Sequence, residues 1–204
     1  MLTTLPNLLT LSRIVVIPAL VAAFYLPGTM ANWVTFALFA AAGVTDYFDG
    51  ALARKHGITS AFGRFLDPVA DKLLVAATIL MLVAVDRVIG WHILPALIIL
   101  CREIFVSGLR EFLAELRVGM PVTKLAKWKT ATQITALSVL LIGDAGWAPL
   151  HLVEVGLGLL WVAGVLTLVT GYDYLRAGLK HMVDEQPSGS QSSDAPRPPT
   201  RRAG

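Results

Sequence analysis

Long apolar stretches dominate the chain, and within them hydrophobic residues follow one another instead of alternating with polar ones. Several windows of about 20 residues are nearly free of charge, the length a helix needs to cross roughly 30 Å of hydrocarbon. Continuous runs exclude a closed membrane barrel, whose strands alternate every second residue. The pattern predicts six transmembrane helices over residues 8–26, 32–55, 62–86, 90–115, 126–145 and 149–176. The connections YLPGTMAN, Arg87 to Gly90 and Ala145 to Pro149 contain Gly or Pro as turn residues. Past Met182 the chain reads VDEQPSGSQSSDAPRPPTRRAG, too polar to build a core. The expected organisation is an all-α integral membrane domain over 1–182 and a disordered polar cytoplasmic tail over 183–204.

Composition agrees. Of 204 residues, 55% are hydrophobic and 15% charged, with a mean hydropathy of +0.67, outside the range of ordinary soluble domains. The start MLTTLPNLLTLSR has neither a basic leader nor a small-residue cleavage site, so no secretory signal is expected. The single cysteine, Cys101, cannot form an intramolecular disulfide and reads as a small buried hydrophobe.

Charge placement says more than the net +3. Arg13, Arg54, Lys55, Arg64, Arg117, Lys124, Lys127, Lys129, Arg176, Lys180 and the tail arginines gather on one side, and Arg87 stands on the other. This bias places both termini in the cytoplasm, as in a multi-pass protein of the inner (cytoplasmic) membrane. The basic residues flank membrane segments, and no nucleic-acid partner is expected. Trp33, Trp91 and Trp147 fall at the outer boundary, where tryptophan anchors helices.

Against this background the segment TDYFDGALARKHGITSAFGRFLDPVADK, Thr45 to Lys72, stands out for its four aspartates. Asp46 lies 14 residues from Asn32, about 21 Å along a helix. That leaves it within about 10 Å of the cytoplasmic boundary. Asp46 and Asp49 share one helix face, and Asp67 and Asp71 share another. A short connection implies that the two helices run antiparallel as neighbours, bringing the carboxylates together. Four such charges in a partly dry site need neutralising, and magnesium or a similar hard cation suits carboxylate oxygens. Two ions would match four carboxylates, an arrangement common in phosphoryl transfer. Gly50, Ala53 and Gly63 keep the neighbouring surface small, and Arg54 can fork onto a phosphate. Singly, each acid could be a solvated boundary residue and each small residue a packing device. Together they point to a polyphosphate ligand.

The spacing D46-x2-D49-G50-x2-A53-R54-x8-G63-x3-D67-x3-D71 matches the signature of the CDP-alcohol phosphotransferases without a departure, and the chain resembles that family over about 1–182. Within the family, LPNLLTLSR and CREIFVSGLREFLA resemble the members whose acceptor is glycerol 3-phosphate. The resemblance implies transfer of a phosphatidyl group from CDP-diacylglycerol to sn-glycerol 3-phosphate with release of CMP. It implies dependence on Mg2+ or Mn2+, two ions, and a homodimer. Asp46, Asp49, Asp67 and Asp71 would be the metal ligands, with Asp71 also the catalytic base. Asp49, Gly50, Ala53, Arg54, Gly63 and Asp67 would lie along the CDP-diacylglycerol, with Ser60 beside them. Asn7, Thr10 and Arg13 would reach its nucleotide.

The acceptor rests on other residues. Arg64, Arg110, Lys124 and Lys127 concentrate on the cytoplasmic side and suit an acceptor carrying its own phosphate, with Lys129 a weaker candidate. The plainer account is that these cations only satisfy the positive-inside bias. Inositol phosphate would need a similar pocket, and serine would not. In the fourth helix Glu103, Ser107 and Arg110 share a face, read as a supporting ion pair beneath the acceptor pocket. Pro68 would kink the third helix or mark its first turn. His56, His92, His151 and His181 show no ligand spacing. A divalent-cation transporter would also explain intramembrane acids. It would place them near the midplane between repeated halves, and no repeat is visible.

Overall fold

The computed structural model describes residues 5–56, 61–115, 124–146 and 148–184, with side chains placed for 12–45, 66, 68–114, 124–146 and 149–176. The described residues are all-helical, with six α-helices among them: α1 (Leu5–Ala23), α2 (Thr29–His56), α3 (Ala61–Ala84), α4 (Ile93–Glu115), α5 (Lys124–Ile142) and α6 (Leu152–Asp184). Each falls on an apolar run expected to be helical. Two of them, within Gly90–Ala114 and Leu152–Arg176, are by themselves long and apolar enough to cross a membrane. The apolar parts of α1 and α2, Ser12–Ala23 and Thr29–Thr45, are shorter. Helix α6 continues to Asp184, two residues into the stretch expected to be disordered; residues 185–204 lie outside the described part.

Two trios of helices build the molecule. In the first, α1 packs against both α2 and α3. In the second, α6 packs against both α4 and α5. Small residues permit the close approach on α6: a Cβ on Gly156 would stand 2.7 Å from Leu140 Cγ, and one on Gly164 2.8 Å from Pro95 Cβ. The trios meet through α2 and α5 and, more lightly, through α3. Leu20, Phe39, Leu74, Leu82, Ile99, Leu137, Leu140 and Leu160 form the shared apolar core.

Helices α2 and α3 both pack on α1 and both line one cavity. The expectation that they run side by side and bring four carboxylates together falls on the α2 end and α3 start, where the side chains of Asp46, Asp49 and Asp67 and the whole of 57–60 lie outside the described residues. Helix α3 also runs on through Pro68, which lies neither at its first turn nor at its end. The proline ring is exposed, where the missing N–H costs one backbone hydrogen bond.

The C-terminal end of α5 shows how side chains replace missing helix partners. Arg87 Nη1 donates to the carbonyls of Leu140 (3.0 Å) and Leu141 (2.8 Å), and Asn32 Nδ2 donates to that of Ile142 (2.8 Å). Arg87 Nη2 also donates to Asn32 Oδ1 at 2.5 Å, so one fork and one amide close the last turn. Gly143 follows with φ +47°, and a Cβ there would stand 3.2 Å from the Arg87 guanidinium. Burial pushes the Arg87 guanidinium below its ordinary value, and the Asp144 carboxylate pulls in the opposite direction. Arginine stays charged even so. Nearby, Trp161 Nε1 donates to His92 Nδ1 at 3.1 Å, tying α6 to the turn before α4.

Candidate active site

The cavity between α2 and α3 holds about 310 Å³ and lies where the two trios meet. Phe39, Ala42 and Gly43 of α2 form one wall, and Pro68, Asp71, Lys72, Leu74 and Val75 of α3 form another. Glu103 of α4 and Lys129, Thr130, Gln133 and Ile134 of α5 complete it. Three-residue and four-residue spacing explains the selection. Asp71, Leu74 and Val75 share a face of α3, while Lys129 and Gln133 stand one turn apart on the buried face of α5.

Asp71 is the motif aspartate whose side chain is described. Its carboxylate is 47% exposed, and its Oδ1 accepts a hydrogen bond of 2.5 Å from Nη1 of Arg13, which is 1% exposed. A fully buried cation beneath a half-open anion fixes the carboxylate's position while leaving it accessible. Arg13, expected to reach the nucleotide, ends on Asp71 and links α1 to α3.

Other motif residues are placed by backbone alone. Asp46, Asp49, Gly50, Ala53 and Arg54 lie on the last three turns of α2, and Gly63, Arg64 and Asp67 on the first two turns of α3. Their side chains lie outside the described residues, as do those of Asn7 and Thr10 on α1 and the whole of Ser60. Among the described residues no group of three or more His, Cys, Asp or Glu side chains gathers. Three of the four aspartates fall outside that set.

A second cavity, about 670 Å³, opens between α4, α5 and α6. Arg102, Arg110, Lys127 and Lys129 make it strongly cationic, with Glu103 and Tyr174 also on its wall. Glu103 and Lys129 line both cavities and pair with each other, so one ion pair stands between the two spaces. Arg102 Nη1 lies 3.7 Å from the same carboxylate. The α4 face Glu103, Ser107 and Arg110 was expected to hold a supporting ion pair; Glu103 does form one, but with Lys129 of α5. Ser107 instead accepts a hydrogen bond from Lys72 of α3. Arg110 lies 5.8 Å and Arg102 5.4 Å from the Tyr174 ring centre, cation–π stacking that tethers α4 to α6. Arg102 also donates to Thr170 Oγ1 at 3.3 Å.

The acceptor candidates separate in the structure. Arg110 and Lys127 are exposed and line the cationic cavity, whereas Lys124 is exposed and lines neither. Lys129 is 3% exposed and faces both. Lys72, Lys129 and Gln133 are the site-lining groups that sequence reasoning missed or ranked low. The available signal was position: a polar side chain inside an apolar helix usually faces the bundle interior.

A sequence profile of the CDP-alcohol phosphatidyltransferases matches residues 3–169, most of the chain. The chain belongs to the CDP-alcohol phosphatidyltransferase family. Relatives agree on one member of it. The CDP-diacylglycerol–glycerol-3-phosphate 3-phosphatidyltransferase of Rickettsia felis is 47% identical over 87% of this chain and 96% of its own length. Proteins with that name from Shigella flexneri and Cereibacter sphaeroides are 44% and 37% identical, over 89% and 90% of this chain and 98% and 99% of their own lengths. In this CDP-alcohol phosphatidyltransferase, then, the matched region takes in all four motif aspartates, Arg13, the Glu103–Lys129 pair and the lining of both cavities except Tyr174.

Proposed function

We propose that the chain is a phosphatidylglycerophosphate synthase, transferring the phosphatidyl group of CDP-diacylglycerol to sn-glycerol 3-phosphate and releasing CMP. The observation that carries this reading is the shared cavity. It sets Asp71, held by Arg13, opposite a buried lysine on a second helix trio, with a cationic chamber beyond. Relatives of near-equal length carry the corresponding name.

The chemistry divides among the chain's own groups. The acceptor's primary hydroxyl gives its proton to Asp71 while its oxygen bonds to the phosphorus bearing diacylglycerol. The bond from that phosphorus to CMP breaks, and CMP leaves with the electron pair, so no covalent enzyme intermediate forms. Arg54, at the end of α2, suits the pyrophosphate, with Gly50, Ala53 and Gly63 leaving room for it. Asp46, Asp49, Asp67 and Asp71, on two helices, would offer a donor set of carboxylate oxygens, the chemistry that suits a hard divalent cation. Mg2+ or Mn2+ held there would neutralise phosphate charge and acidify a bound hydroxyl. On the acceptor side Arg110 and Lys127 suit the phosphate. Lys129, buried at the junction, is the better placed to hold it at reacting distance, once the phosphate takes Glu103's place beside it.

The membrane reading extends the same way. All six helices reach at least 19 residues, about 28 Å at 1.5 Å per residue. Large apolar side chains on α4 and α6, among them Leu97, Ile104, Phe105, Val162, Val165 and Leu168, are exposed as a lipid-facing surface would be. We take the protein as a six-span membrane domain, 1–182, with a polar tail, in the inner membrane with its site toward the cytoplasm. The Lys and Arg distribution supports that orientation, and family resemblance supports a homodimer. Family membership leaves the transporter reading without an observation in its favour.

The deciding experiment gives purified protein CDP-diacylglycerol with glycerol 3-phosphate, inositol phosphate or serine separately. Metal-dependent CMP release and a phosphatidylglycerophosphate product with glycerol 3-phosphate alone are expected. CMP release with another acceptor instead would reassign the substrate, and none with any acceptor would end the enzyme reading.

A further inference from the structure

Gln133 is a polar residue within the apolar stretch of α5 and is 4% exposed. Its Oε1 is buried and has no hydrogen-bond partner among the described residues, although the side chain lines the reaction cavity. A buried carbonyl oxygen left without a donor is unfavourable and is usually found partnered. The donors nearest in kind are engaged elsewhere: Lys129 with Glu103, Lys72 with Ser107, and Thr130 with the Ala126 carbonyl at 3.1 Å. Gln133 therefore brings an unpaired amide oxygen to the cavity wall, where a change of rotamer would present it to a ligand.

We propose that Gln133 reads the acceptor's polyol end, its Oε1 accepting a hydrogen bond from the secondary hydroxyl on C2 of glycerol 3-phosphate. This rests on the glycerol 3-phosphate reading above and adds a specificity residue to it. An uncharged amide suits a hydroxyl and an ammonium suits a phosphate, so Gln133 and Lys129 sort the two ends of the acceptor. The residues are one turn apart on one face of α5, with Cβ atoms about 5–6 Å apart, near enough for one acceptor molecule to meet both side chains. Asp71, across the cavity, is left to the attacking primary hydroxyl. Three functional groups of the acceptor thus meet three side chains of matching chemistry.

The test compares glycerol 3-phosphate with 3-hydroxypropyl phosphate, which keeps the primary hydroxyl and the phosphate but lacks the C2 hydroxyl. Intact protein should prefer glycerol 3-phosphate by about 10–100-fold in kcat/KM, the cost of leaving a buried acceptor unpaired. Gln133→Met should lose most of that preference, bringing the ratio to within about threefold of unity, while KM for CDP-diacylglycerol and the denaturation midpoint hold. Gln133→Leu serves as a second variant. Equal use of both acceptors by the intact protein overturns the proposal without needing any variant, and so does a variant that discriminates as well as the intact chain. If the intact protein turns over neither acceptor, the glycerol 3-phosphate reading itself has failed, a separable outcome.

Discussion

Asp71 and Arg13 show what one contact does to a motif residue. A carboxylate whose Oδ1 is fixed at 2.5 Å by a fully buried guanidinium has one oxygen committed and a set orientation. Asp71→Asn keeps the shape and removes the proton acceptor. It should lower kcat about 10²–10⁴-fold while CDP-diacylglycerol still binds, and normal turnover in a folded variant would remove Asp71 from the base role. A second residue-scale prediction separates neighbouring lysines. Lys129→Met should raise KM for glycerol 3-phosphate at least about tenfold, and Lys127→Met less than about threefold, by losing a desolvated rather than an exposed charge contact. Equal effects would show that burial does not single out Lys129. The aspartates were legible because their spacing is itself the signal. Lys124, Lys127 and Lys129 were not, since a run of cations near a helix start looks alike whichever one turns inward.

At the scale of elements, the helices answer to local rules with specific tertiary exceptions. Gly164 and Gly158 lie on the same helix, yet a Cβ at 164 meets Pro95 at 2.8 Å and one at 158 meets nothing within 4 Å. Gly164→Ala should therefore destabilise the protein by about 1–3 kcal/mol by forcing α4 off α6. Gly158→Ala should stabilise it by up to about 1 kcal/mol through helix propensity. Denaturation midpoints in one detergent decide the matter, and shifts of the same sign would contradict it. The cap on α5 gives a parallel expectation. Arg87→Ala strands the Leu140 and Leu141 carbonyls and the Asn32 oxygen, costing about 1–3 kcal/mol, and should leave KM unchanged because it lies at the far end from Asp71. The helices themselves were readable from apolar run lengths. The cap was not, because Asn32, Arg87 and the α5 carbonyls come together from three separate parts of the chain.

At the scale of the whole molecule, orientation and metal dependence can be checked together. With Cys101 replaced by alanine, Lys124→Cys should react with a membrane-impermeant thiol reagent only from the cytoplasmic side, and Gly28→Cys only from the opposite side. Labelling of both from one side would break the proposed topology. Chelation should abolish CMP release, and Mg2+ or Mn2+ should restore it; full activity in chelator would exclude the cation from the mechanism. The sequence by itself determined the helical class, the order of the helices, the charge bias and the aspartate-bearing segment. Each of these is local: run length, periodicity and spacing along one stretch of chain. Only the tertiary structure decided that α1 bridges α2 and α3, that Arg13 ends on Asp71, and that Glu103 takes Lys129 from another helix. It also decided that Gln133 lines the cavity with its oxygen unpaired among the described residues. Those outcomes depend on which face of each helix is buried against which neighbour, and distant parts of the chain settle that only by packing together.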